Sequence, residues 1–232
     1  MKTLGLLGGM SWESTSIYYQ RLNRLTRDAL GGQHSAPLLL WSVDFAPMSD
    51  KLSVGDWAGI TAVLVEAARR LEAAGAESLL ICSNTMHQVA DEIQEALSIP
   101  LIHVADATAA ALSAAGLNRP LLLATRFTME RAFYRNRLAA AGLEVLIPRE
   151  VERERLHAII FDELVQGRFE SESRADVVGI AEAMINDHGA DSIILGCTEF
   201  GLLVEAGDFT VPVFDTAELH VDAGMKFALS HV

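Results

Sequence analysis

Short apolar runs alternate along the chain with longer segments in which apolar residues recur every three or four positions. The runs suited to strands are residues 3–7, 38–43, 78–81, 101–104, 121–124, 144–147, 192–195 and 211–214. They are nearly continuous in apolar residues, the pattern of strands covered on both faces by helices. Helical patterns fill the intervals. In residues 58–73, Ile60, Leu64, Ala67, Ala68 and Leu71 share one face, and Gly75 supplies a stop. Strand and helix in steady succession predict an α/β fold with parallel-sheet cores.

Sliding the sequence on itself exposes an internal repeat. Gly75-Ala76-Glu77-Ser78-Leu79-Leu80-Ile81 aligns with Gly189-Ala190-Asp191-Ser192-Ile193-Ile194-Leu195, an offset of 189 − 75 = 114. The register continues past the strand, setting Ser83 opposite Cys197, Asn84 opposite Thr198 and Thr85 opposite Glu199. Ile99-Pro100-Leu101 corresponds to Val211-Pro212-Val213. Leu4-Gly5-Leu6 with Ser11-Trp12-Glu13 corresponds to Leu121-Leu122-Leu123 with Thr128-Met129-Glu130. Three stretches in one order predict two pseudo-symmetric halves, residues 1–97 plus 212–232 and residues 98–211. Ligands of open parallel sheets bind beyond the carboxyl ends of the strands. Two such edges facing each other predict a cleft lined by residues 8–14, 83–87, 125–128 and 197–199.

Composition narrows the function classes. Eighteen Lys and Arg against 31 Asp and Glu leave a net charge of −13 among 232 residues. That balance argues against binding a nucleic-acid backbone or an anionic membrane surface, both of which need clustered cations. The two cysteines, Cys82 and Cys197, have no metal-site or disulfide-framework spacing, which predicts reduced thiols, no metal and a cytoplasmic setting. The apolar start is interrupted by Ser11, Glu13 and Ser14, and reads as a first strand instead of a signal peptide. The apolar window 99–117 carries His103, Asp106 and Thr108, which a bilayer-spanning helix would not tolerate cheaply.

Equivalent positions in two facing halves suit stereoinversion, with a base on one face of a carbon and an acid on the other. Ser83 and Cys197 are such a pair. Taken alone, Cys197 is equally a small core residue, and Ser83 is equally a helix cap; Cys82, still within the apolar run, is expected to be buried. His87, four residues after Ser83, is a candidate proton acceptor or relay, or a histidine satisfied by local hydrogen bonds. Gly5-Leu6-Leu7-Gly8-Gly9-Met10-Ser11 offers backbone amides to an anion at a helix start, but matches no dinucleotide or triphosphate fingerprint.

Residues 5–15 (GLLGGMSWEST), 83–87 (SNTMH) and 196–199 (GCTE), in this order and spacing, resemble the aspartate/glutamate racemase family, nearest its broad-specificity and aspartate racemase branch. The resemblance runs essentially the full chain. It implies two α/β domains, an amino-acid substrate, no pyridoxal phosphate or other cofactor, no metal, and commonly a homodimer. Matched motif by motif, it implies Cys197 and Ser83 as the acid/base pair. Met10, Ser11, Asn84, Thr85, Thr198 and Glu199 then fall at the substrate's α-carboxylate and α-ammonium. Leu52 matches the position of a side-chain selectivity residue, with Lys51 and Arg168 as candidate carboxylate partners. Two departures stand out. Gly8-Gly9-Met10-Ser11 and Cys197-Thr198-Glu199 differ from the Asp-Ser-Gly and Cys-Thr-His of cell-wall glutamate racemases. Ser83 stands where the family pattern carries its first cysteine, so one of two thiols is replaced by a hydroxyl.

Overall fold

The computed structural model describes residues 1–230, and the chain divides into two compact units. The first comprises residues 1–104 together with the segment from His220 onward, and the second comprises residues 105–219. His231 and Val232, at the end of the first predicted half, lie outside the described residues.

In the first unit β1 (Leu4–Gly8) lies between β2 (Leu38–Ser42) and β3 (Ser78–Ile81), all parallel, with Leu6 in register with both Leu40 and Leu80. Leu4, Leu6, Leu7, Leu79, Leu80 and Ile81 are all fully shielded from solvent, so β1 and β3 are covered on both faces, while the edge strand β2 is partly exposed. Burying each such side chain contributes about 1.5–3 kcal/mol. The helix Trp57–Ala73 packs Ile60, Leu64, Ala67, Ala68 and Leu71 inward, the face expected from the 58–73 pattern. Asp56 caps its start by accepting from the Gly59 amide.

The second unit repeats this plan with β4 (Pro120–Leu123), β5 (Ser192–Leu195) and β6 (Val213–Asp215) in the order β4-β5-β6, again parallel. Two of the eight expected strands shrink to single bridges. Leu101 pairs only with Leu79, and Leu146 only with Leu121. The causes are local. Pro100 has no amide to donate and Val104 already begins the helix Val104–Ala114; Pro148 closes the other run. Counting the bridges, both sheets follow one strand order, with β2, β1, β3 and Leu101 matched by Leu146, β4, β5 and β6.

The bridges also explain where the units divide. Leu101 is still bonded to the first sheet and Val213 to the second, so the boundaries fall at 104/105 and 219/220 instead of 97/98 and 211/212. The chain leaves the first unit at Val104 and returns at His220, within the helix Thr216–Leu229.

His220 is completely buried. Its Nε2 lies 2.6 Å from the Ile102 carbonyl and its Nδ1 2.8 Å from the Tyr18 hydroxyl. Burial pushes its pKa down to about 4, against the partial support of the Ile102 carbonyl. The unfolded chain, with an ordinary histidine near 6.5, therefore binds the proton first. Stability conferred by the neutral ring is present above about pH 6.5 and is lost as pH falls toward 4, a total on the order of 3 kcal/mol. Urea unfolding at pH 7 and pH 5 should show a lower midpoint at pH 5, with part of that drop absent in His220→Gln. An identical pH dependence in the variant would contradict the assignment.

Candidate active site

Because β1, β3, β4 and β5 are buried at every residue, polar chemistry collects where they end. At the end of β5 the Gly196 amide still donates to the Leu123 carbonyl at 2.8 Å, and the chain then turns at Cys197 into the short helix Phe200–Leu203. Cys197, Thr198 and Glu199 are all buried. The Cys197 thiol donates to Glu199 Oε2 at 2.9 Å, and the Thr198 hydroxyl donates to the same oxygen at 2.9 Å. Burial first, and then the Glu199 carboxylate, push the thiol well above its ordinary range; Asp215 adds to the effect. At neutral pH the group is therefore a thiol, and it donates its hydrogen bond to the Glu199 side chain.

Asp215 was not singled out from the sequence. It ends β6 in register with Leu195, and its Oδ1 accepts from the Ala217 amide at 2.8 Å and the Glu218 amide at 3.3 Å, capping the helix Thr216–Leu229. A Cβ on Gly201 would approach Asp215 Oδ2 to 2.7 Å, so this position in the helix after Cys197 has room for glycine alone unless the carboxylate moves.

The corresponding end of β3 is built differently. Cys82 is in the core, its thiol pushed up by burial, as its place in the apolar run predicts. Ser83 follows, partly buried, and leads into the 3-10 turn Thr85–Val89, with Asn84, Thr85 and His87 buried. The His87 ring engages backbone: Nδ1 is 2.8 Å from the Ser83 carbonyl oxygen, and Nε2 accepts from the Val104 amide at 3.3 Å. A relay from the Ser83 hydroxyl through His87 therefore finds both ring nitrogens in other bonds. His103 packs edge-on against His87 at 4.5 Å between centroids. His103 too was missed, although the repeat held the signal. Two residues beyond the aligned Leu101 and Val213, His103 stands opposite Asp215, and His87 stands opposite Gly201.

The glycine-rich turn after β1 is tied into the helix that follows it. The Gly9 amide donates to Thr15 Oγ1 at 2.9 Å, and Ser11 accepts from the Ser14 amide at 3.1 Å as cap of the helix Trp12–Leu30. Gly9 has φ +88°, and a Cβ there would meet the Val43 carbonyl oxygen at 2.2 Å, so glycine is required by conformation and by space. Met10 is buried beside this turn. Leu52 is buried in the helix Phe45–Ser53, whereas Lys51 is half-exposed and pairs with Asp56 at 3.2 Å. The Gly59 amide and that lysine hold the Asp56 carboxyl below its usual value.

Met10, Ser11, Lys51, Leu52, Ser83, Asn84, Thr85 and His87 thus belong to the first unit, and Arg168, Cys197, Thr198 and Glu199 to the second. Arg168 donates to the Asp162 carbonyl and lines a polar cavity of about 420 Å³ with Arg155, Glu163, Glu170 and Ser173. Among the described residues, no group of three or more His, Cys, Asp or Glu is arranged to hold a metal ion, and no helix is long and apolar enough to cross a membrane.

The Asp/Glu/hydantoin racemase family model matches residues 7–224. A candidate Asp/Glu racemase from Yersinia pestis is 45% identical, with 99% of this chain and 100% of that one covered and a TM-score of 0.92. An aspartate racemase homologue from Pyrococcus horikoshii is 35% identical, covering 98% and 99% of the two chains at a TM-score of 0.86. The broad-specificity amino-acid racemase RacX of Bacillus subtilis is 24% identical over 217 residues, 92% of each chain.

The Cys197–Glu199 bond has a direct chemical readout. Glu199→Gln removes a charge that opposes ionisation, so iodoacetamide should alkylate Cys197 at lower pH in the variant, by about one pH unit or more. Peptide mass spectrometry across a pH series distinguishes this thiol from the buried Cys82. An unchanged or upward-shifted profile would show that Glu199 does not govern the thiol.

Proposed function

Because the chain belongs to the Asp/Glu/hydantoin racemase family, isomerases that work without pyridoxal phosphate, we propose that it inverts Cα of aspartate, glutamate or a broader set of amino acids. In this reading Cys197 serves one face of Cα and Ser83 the other. The observation that carries it is the buried thiol–carboxylate bond between Cys197 and Glu199.

The proton balance runs through that pair. Glu199 accepts the thiol proton as Cys197 takes the proton from Cα, leaving a carbanion stabilised by the adjacent carboxylate of the substrate. Return of a proton from the opposite face completes inversion. In the other direction, starting from the form in which Glu199 holds the proton and the Ser83 hydroxyl has lost one, Cys197 donates its proton to Cα and is re-protonated by Glu199; proton exchange with solvent interconverts the two forms. Threonine and asparagine side chains at 84, 85 and 198 fit the substrate's carboxylate and ammonium. Leu52 suits a pocket tolerant of less polar side chains, in keeping with the Lys51–Asp56 pair.

Ser83 is the weak member. Serine supplies almost no alkoxide at neutral pH, so abstraction from its face is slow. Enantiomers in achiral water are equally stable, and kcat/KM must therefore be equal in both directions. A weak hydroxyl cannot slow only one of them. It either lowers inversion both ways or leaves a protein that exchanges the Cα proton on the Cys197 face with retention. The single thiol favours keeping this second reading beside the first.

Incubating each enantiomer of aspartate, glutamate and several neutral amino acids in D2O separates the readings. Inversion with deuterium at Cα supports racemisation; deuterium with retained configuration supports one-face exchange; binding without either would overturn the enzymatic reading. Under both enzymatic readings Cys197→Ala should lose about 10²–10⁴-fold in exchange. Ser83→Cys should raise inversion by the same factor in both directions. Exchange that persists in Cys197→Ala would remove the thiol from the mechanism.

A further inference from the structure

Three imidazoles, those of His87, His103 and His220, are buried together in the first unit, and the proposed proton transfers use none of them. For His87 and His220 the neighbours determine which ring nitrogen carries hydrogen. A backbone amide only donates, so His87 Nε2, 3.3 Å from the Val104 nitrogen, is the acceptor. The neutral ring then carries its proton on Nδ1, where the Ser83 carbonyl, which only accepts, lies 2.8 Å away. By the same logic His220 donates from Nε2 to the Ile102 carbonyl, leaving Nδ1 to accept from the Tyr18 hydroxyl.

These bonds and ring contacts form one path. Tyr18 sits in the helix that begins at the glycine-rich turn, and its hydroxyl holds His220. His220 holds Ile102 and meets the His87 ring at 5.4 Å between centroids. His87 in turn holds Val104 and the Ser83 carbonyl, with His103 edge-on at 4.5 Å. The Val104 amide and the His220 side chain, at the two chain crossings, thereby belong to the same buried cluster as the Ser83 turn.

We propose that His87 is a positioning residue, fixed as the neutral Nδ1–H tautomer, that sets the Ser83 turn by holding its carbonyl and the Val104 amide at once. It does not shuttle the Ser83 proton. The significance attached to Ser83 rests on the racemase reading; the tautomer does not.

Two measurements test this. Long-range 1H–15N correlation on the wild-type protein at pH 7, with the His87 signals identified by their loss in His87→Asn, should show hydrogen on Nδ1 and an unprotonated Nε2. An Nε2–H tautomer or an imidazolium overturns the proposal without reference to activity. In turnover, asparagine places its amide nitrogen where Nδ1 stood and keeps the donor to the Ser83 carbonyl. His87→Asn should therefore lose about three- to tenfold in kcat with little change in KM, while His87→Leu, which keeps neither bond, should lose about 100-fold or more. A proton relay predicts instead that both variants fall together, by about 10²–10⁴-fold, and that result would overturn the proposal. If His87→Leu does not fold, the asparagine variant and the spectrum decide. If no amino acid is turned over by the wild type, the racemase reading fails and the spectrum alone decides the role of His87.

Discussion

Parallel strands with both faces buried have nowhere to put a polar side chain except at their ends, and that constraint organises both halves of this chain. β3, β4 and β5 are buried at every residue. The groups capable of chemistry appear immediately after the last apolar residue of each strand: Ser83 and Asn84 after β3, and Cys197, Thr198 and Glu199 after β5. Moving any of them one residue upstream would put it in the core. Cys82 shows the cost, since burial alone drives its thiol away from ionisation.

The two halves use equivalent positions for different chemistry. In the second unit position 197 is a thiol, position 201 is a glycine that leaves room for Asp215, and Glu199 accepts the thiol proton. In the first unit position 83 is a hydroxyl, and positions 87 and 103 are imidazoles packed on each other. A carboxylate can take up a proton at its site, whereas an imidazole with both nitrogens bonded to backbone chiefly holds shape. In the proposed reaction Glu199 would take up the proton in the second unit, while His87 in the first unit would hold the Ser83 turn in place.

Much of this was legible in the chain. Continuous apolar runs gave the parallel sheets, the 58–73 periodicity gave a helix with the right buried face, and the repeat set Ser83 against Cys197. The strand ends at 101–104 and 144–147 were overextended because apolar character persists there after Pro100, Val104 and Pro148 have limited the ladder. Side-chain pairing was less visible. Lys51 looks free until Asp56 is seen to hold it, and Tyr18 and His220 meet across 202 positions of sequence. No local pattern encodes a contact of that kind. His103 and Asp215 were within reach, because the repeat extends through them.

The asymmetry has a thermodynamic boundary. In the proposed reaction the Cys197–Glu199 pair would take up or give one proton at a single site, but it could not bias the equilibrium between mirror-image substrates. Any barrier on the Ser83 side would then appear equally in both directions of inversion, while exchange on the Cys197 side would escape it. If Cys197 and Ser83 serve opposite faces of Cα, as proposed, the rate at which Cα loses its proton and the rate at which it changes hand would be set by different residues. In that reading their ratio would be set at Ser83, and the hold of His87 on the Ser83 carbonyl would govern how well the hydroxyl is aimed.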